Sequence, residues 1–273
     1  MDIPIEIVAC SKSIAMSPDD PAELMIDLLI PLNRPLDAPR LRKATYRIRL
    51  KESADDTKLP DIPETTMQKI LSRSDDHILL EVGRVSTRVD RHELTDAERA
   101  SCLTASEVLN YRDPRIAELV KKAAGDETNP HRLAERFCRF VGQHVNSKGL
   151  NVGFATASEV ARSREGDCTE HGVLLAAMGR AKKIPTRLVT GLVYAPNFGG
   201  KSDVLVGHLW TQFWIDDRWV DFDAALGQTD VDPTHIALAV TPADNAGFAD
   251  LISSTWLSIG KWRIEVVALD PNQ

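Results

Sequence analysis

One segment limits the folds open to this chain more than any other. Glu165-Gly166-Asp167-Cys168-Thr169-Glu170-His171-Gly172 turns at a glycine and opens a run of apolar and small residues that ends at Ile184-Pro185. Gly166 permits a tight turn, and Asp167 can cap a helix that starts at the cysteine. Val173, Leu174, Ala177, Met178 and Ala181 recur at helical spacing, so the pattern predicts a helix from Cys168 to about Lys183. Beyond Pro185 the period switches to two, with strands expected over Thr186–Tyr194, Val206–Ile215, Arg218–Asp223 and Trp262–Leu269. A buried helix that begins on a cysteine and precedes a run of strands points to an α+β fold.

Upstream, Asp113-Pro114 and Asn129-Pro130 each place a capping residue before a proline at the first helical position. Ile116, Leu119, Val120 and Ala123 give the first of these helices one apolar face. Leu133, Phe137, Phe140, Val141 and Val145 do the same for the second, and a short third helix is expected over Thr156–Arg162. The first hundred residues read differently. Ile3–Ala9, Glu23–Pro31, Ala44–Leu50 and His77–Val85 are strand candidates, separated by stretches rich in Pro and Asp. Residues 91–110 are polar and read as a connection. The division expected is a β-rich accessory module over 1–105 and a second domain over 106–273.

Composition narrows the function. The chain has 273 residues, 43% of them hydrophobic, and a net charge of −7. With no basic stripe interleaved with aromatics, a nucleic-acid partner is not expected. No run approaches the roughly 18 apolar residues of a membrane span. Met1-Asp2-Ile3-Pro4 lacks the basic and apolar regions of a secretion signal, yet Ile3, Ile5 and Ile7 already alternate like a strand. The start therefore reads as lying within a longer, exported precursor, and the compartment stays open. The cysteines at 10, 102, 138 and 168 include no pair with zinc-site spacing. Cys138 reads as a small core residue on a helix. Asn197-Phe198-Gly199-Gly200 follows a strand but precedes no helix, which argues against a phosphate cradle.

A thiol at a helix start sits among unpaired backbone N–H groups, which favour the thiolate and can hold an oxyanion. An imidazole steadied by a carboxylate can take its proton. His208 and Asp223 are the candidates. Trp214-Ile215-Asp216-Asp217-Arg218-Trp219 reads as a hairpin, and a two-residue turn at Asp216-Asp217 sets Ile215 opposite Arg218. Asp223 then faces Trp210, one step along the same face from His208, and the two are diagonal neighbours about 7–8 Å apart at the backbone. Asp221 faces Gln212, about 13 Å from His208. Register therefore selects Asp223. Taken singly, each residue also has a plain reading: a buried cysteine, a strand histidine bonded to a carbonyl, a strand-end carboxylate. His171 reads as structural, Glu170 as serving the first helical turn, and Trp210 as core filler.

Together the motifs Gly166-Asp167-Cys168-Thr169-Glu170-His171, Arg180-Ala181, Ile184-Pro185-Thr186-Arg187, Gly191-Leu192-Val193-Tyr194, His208-Leu209-Trp210 and Trp219-Val220-Asp221-Phe222-Asp223 closely resemble the bacterial transglutaminase-like family. The resemblance covers roughly residues 112–240, about half the chain. It implies a papain-like core of helices packed on an antiparallel sheet, and acyl transfer through a thioester. Cys168 matches the nucleophile, His208 the general base and later acid, and Asp223 the residue that orients the imidazole. Ala224 stands where the family often has proline. The function expected is hydrolysis of a peptide-like amide in a protein or peptide substrate. Alternatives are cross-linking by transamidation and a non-catalytic papain-like binding module. This chemistry requires no metal or cofactor, and no EF-hand loop for calcium is present in the sequence.

Overall fold

The computed structural model describes residues 28–52, 58–84, 93–146, 155–244 and 247–271. In chain order the strands are β1 (Ile30–Pro31), β2 (Leu41–Leu50), β3 (Gln68–Arg73) and β4 (Ile78–Gly83). Helices α1 (Asp96–Ser101), α2 (Pro114–Ala124), α3 (Pro130–His144), α4 (Ala157–Ser163) and α5 (Cys168–Ala181) follow. The chain then runs through β5 (Thr186–Phe198), β6 (Lys201–Ile215), β7 (Arg218–Phe222), β8 (Ile236–Thr241), α6 (Phe248–Ile259) and β9 (Trp262–Pro271).

The helix starts are built as the sequence implies. Asp113 and Asn129 accept from the N–H groups of Arg115 and Arg132, with proline inside the first turn of both helices. Thr156 and Glu159 form a capping box on α4. The predicted strand over Ile3–Ala9 and most of the one over Glu23–Pro31 lie outside the described residues. Four elements were not anticipated. The polar stretch after residue 91 contains α1, capped by Thr95 and Glu98, and the segment between Asp223 and Trp262, for which no element was expected, contains β8 and α6. β3 lies in a stretch whose alternation is too polar to stand out.

The strands form two antiparallel sheets. The first runs β1-β6-β5-β8, with β7 also on β6, and the second runs β3-β4-β2-β9. The second sheet thus takes β2, β3 and β4 from before residue 105 and β9 from the far end of the chain. The first sheet packs on helices through Leu188, Leu209, Phe213 and Phe222, which share a buried core with α2, α3, α4 and α5. Leu192, Leu205, Ile236 and Leu238 join a separate core with Tyr46, Ile48, Leu80 and Ile264 of the second sheet. The result is an α+β fold in which helices and accessory sheet both pack on the central sheet, Leu188 and Leu209 toward the helices and Leu192 and Leu205, four residues along the same strands, toward the accessory sheet.

Candidate active site

Cys168 occupies the first position of α5. Asp167 Oδ1 accepts from Thr169 N at 2.8 Å, and Glu170 reaches back so that Asp167 N donates to its Oε2 at 3.0 Å. Glu170 Oε1 also accepts from Ala155 N at 3.1 Å, tying the segment before α4 to the cysteine turn. Burial, reinforced by the Asp167 charge, raises the Glu170 carboxyl to about 7. Gly166 has φ +150°, and a Cβ there would lie 2.2 Å from Glu170 Cβ, so the turn admits only glycine. His171 is buried on α5, with Nδ1 2.5 Å from Asp167 O.

The β6–β7 hairpin has the expected register. Ile215 pairs with Arg218, Gln212 with Asp221 and Thr211 with Phe222. Asp216 and Asp217 form the two-residue turn with φ of 51° and 59°, the left-handed pair such a hairpin needs. Alternation along β6 sends Leu209 and Phe213 to the helices and His208, Trp210 and Gln212 to the other face. His208 Nε2 lies 2.7 Å from Asp223 Oδ2. A carboxylate only accepts, so Nε2 carries the proton and Nδ1 is left for Cys168. Asp221 is taken up elsewhere, accepting from Trp210 Nε1 at 2.7 Å and from Gln212 Nε2 at 2.9 Å. The structure therefore brings Cys168, His208 and Asp223 together and sets Asp221 apart. Trp210 is core as well as site, its ring stacked on His208 with centroids 6.2 Å apart.

Electrostatics follow from burial. Desolvation alone would lower His208, but the Asp223 carboxylate and the Cys168 sulfur beside it outweigh that and hold it at about 9. Burial acts to raise Asp223, yet His208 and His235 hold it well below the usual carboxylate range. Asp223 Oδ1 accepts from Ala225 N at 2.9 Å and Leu226 N at 3.0 Å, which fixes the carboxylate.

His235 is absent from the residues singled out in the sequence. It stands one residue before β8, and its Nε2 lies 3.1 Å from the same Asp223 Oδ2. Its only sequence mark is Asp232 three residues earlier. The accessory sheet braces this segment: Tyr46 Oη donates to Pro233 O at 3.0 Å, and Gln68 exchanges two hydrogen bonds with Ala237, each 2.9 Å long. His208, Asp223 and His235 bring three ligand-type atoms within 4.8 Å of one another. Both Nε2 atoms lie within hydrogen-bond distance of one carboxylate oxygen, and all three residues are buried.

Cys168 and His208 open into a cavity of about 400 Å³. Its other walls include Val193, Phe198, Val206, Leu226 and Trp256, and no Lys or Arg is among the described residues that line it.

Residues 117–224 match the profile of the transglutaminase-like superfamily, a span that contains Cys168, His208 and Asp223. That span is therefore similar to the transglutaminase-like superfamily. No curated protein sequence matches it. Among solved structures it is similar to a cysteine protease candidate from Cytophaga hutchinsonii, at 15% identity and a TM-score of 0.49, over 85% of this chain and 86% of that one. The periplasmic domain of TgpA from Pseudomonas aeruginosa is 14% identical with a TM-score of 0.41, over 68% of this chain and 88% of that one. Red sea bream transglutaminase is 9% identical with a TM-score of 0.39, over 70% of this chain and 47% of that one. No helix among the described residues is long and apolar enough to cross a membrane.

Proposed function

We propose that the protein is a thiol-dependent acyl-transfer enzyme that hydrolyses peptide-like amides, with Cys168 as nucleophile, His208 as general base and acid, and Asp223 as orienting carboxylate. The observation that carries this reading is the placement of His208, held by Asp223 at 2.7 Å on one ring nitrogen and beside Cys168 at the mouth of a cavity. In the reaction, the Cys168 proton has passed to His208 Nδ1, and the thiolate Sγ bonds to the amide carbonyl carbon. The Cys168 backbone N–H, which has no acceptor within its helix, supports the oxyanion. His208 returns the proton to the leaving nitrogen, the C–N bond breaks, and a thioester remains. Water then gives a proton to His208 and its oxygen bonds to the acyl carbon, releasing acid and thiol. Water is the acceptor that needs no second binding site, which favours hydrolysis over cross-linking. The apolar walls beside the thiol suit a substrate with a bulky hydrophobic side chain near the scissile bond. In the same reading residues 106–273 carry the chemistry, and the 1–105 module braces the site from behind.

Intact mass spectrometry after iodoacetamide treatment, from about pH 5 to about pH 9, tests the triad in the wild type and in His208→Ala. Rapid labelling of Cys168 at the acid end that is lost in the variant supports an enzyme. Slow labelling that follows ordinary thiol titration in both would overturn the reading and favour a binding module. Product masses from a hydrophobic peptide amide, with and without a primary amine, then separate hydrolysis from transamidation.

A further inference from the structure

The proposed reaction leaves one buried imidazole unused. The His235 side chain is fully buried, and both of its nitrogens face oxygens. Nε2 lies 3.1 Å from Asp223 Oδ2, while Nδ1 lies 3.2 Å from Asp232 O and 3.5 Å from Asp232 Oδ1. A carbonyl and two carboxylates only accept hydrogen bonds, and a neutral imidazole has a single N–H. A neutral ring would therefore point a lone pair at an oxygen on one side or the other. Only the doubly protonated ring satisfies both.

We propose that His235 is a positioning residue held as a buried imidazolium, which shares Asp223 Oδ2 with His208 and so limits how much of that carboxylate's charge His208 feels. The proposal rests on the Cys168–His208–Asp223 triad. The two imidazoles meet at one oxygen because Ala225 N and Leu226 N occupy the other. Their ring centroids are 5.8 Å apart, so the charge on His235 opposes the charge on His208 directly. A bare His–Asp pair would hold the His208 proton tightly and slow its delivery to a leaving group. A second cation behind the carboxylate loosens that hold while keeping Asp223 ionised.

The other groups bearing on His235 leave this assignment intact. Asp232 is held well below the usual carboxylate range by His235 and by Thr234 despite its burial. Asp221 on β7 adds a further acid, raised by burial but countered by Trp210, Gln212 and Arg187. Tyr46 from β2 donates to Pro233 O, and burial keeps its phenol neutral. Cys138 on α3, near Asp223, is pushed up to about 12 by burial and is also neutral. Burial acts against charge on His235, but Asp223 and Asp232 prevail and hold it at about 9.

The test is histidine ¹⁵N NMR across pH, on the wild type and on His235→Gln. Glutamine can still donate to Asp223 but carries no charge. The expected wild-type spectrum at neutral pH shows both His235 nitrogens protonated. In His235→Gln the His208 midpoint should rise by about one pH unit or more, tenfold in proton affinity. A purely structural role for His235 would leave that midpoint in place. A neutral His235 in the wild type, or an unmoved His208 midpoint, would overturn the proposal. If the variant fails to fold, the wild-type nitrogens decide the matter alone. None of these signals requires turnover, so failure of the triad would appear separately, in the labelling of Cys168.

Discussion

Replacing Asp223 with asparagine perturbs four hydrogen bonds at once. Oδ2 accepts from His208 at 2.7 Å and His235 at 3.1 Å, and Oδ1 from Ala225 N at 2.9 Å and Leu226 N at 3.0 Å. Asparagine has one accepting oxygen and one NH₂ group. Either way round, two N–H donors face an NH₂. Losing two bonds to a charged acceptor costs about 1.5–3 kcal/mol each, so the expected loss is roughly 3–6 kcal/mol. Linkage gives an independent figure. His208 and His235 are each held at about 9 against an ordinary 6.5. That difference is worth about 3 kcal/mol for each imidazole, of which the part owed to Asp223, and not to Cys168 beside His208 or Asp232 beside His235, is lost in the variant. A raised histidine contributes stability that is fully present below pH 6.5 and lost as pH rises through 9. Asp223 is depressed, so its own contribution is constant above about pH 5. The penalty of Asp223→Asn should therefore be greatest near pH 6 and shrink by several kcal/mol toward pH 10. Cys102, raised by burial, weakens the fold at alkaline pH in both proteins and cancels in the difference, whereas Cys138 is raised by burial first and by the Asp223 charge second, so only its burial part cancels. Urea unfolding midpoints of the two proteins at half-unit steps from about pH 6 to about pH 10 measure the effect. A penalty that is the same at both ends would refute the reasoning.

Three further outcomes are expected. Gly191→Ala puts a Cβ 2.1 Å from Ile236 O, a backbone atom at the β5–β8 bulge, so thermal denaturation should show a loss of about 3 kcal/mol or more. Arg180 is buried, donating to Thr186 Oγ1 at 3.1 Å, to Thr186 O at 2.9 Å and to the carbonyls of Thr104 and Pro242, so Arg180→Ala leaves several buried acceptors unmet. A loss of at least about 3 kcal/mol is expected in urea titration, and an unchanged midpoint would contradict it. Leu226, 49% exposed at the cavity wall, should tolerate Leu226→Asp with little change in melting temperature, while kcat/KM for hydrophobic amide substrates falls about tenfold or more.

The helix that begins at Cys168, its caps and the register of the β6–β7 hairpin were legible because each depends on neighbours in the chain. Asp167 caps a helix two residues on, and Asp216-Asp217 fixes a turn that decides which carboxylate meets His208. β8 and α6 were not legible, since the segment after Asp223 has no strong period and β8 becomes a strand only by pairing with β5. His235 is brought to Asp223 by that pairing. It is fixed there by Asp232 and by Tyr46, 187 residues from the carbonyl it bonds. The sequence by itself determined the α+β class, the helix that begins at Cys168 and the β6–β7 register that sets Asp221 opposite Gln212, because helix capping and strand alternation are local. Only the tertiary structure decided that a second imidazole shares that carboxylate, that the accessory sheet borrows β9 from the far end of the chain, and that apolar walls surround the thiol. Those arrangements arise from long-range pairing and burial, and no local pattern encodes them.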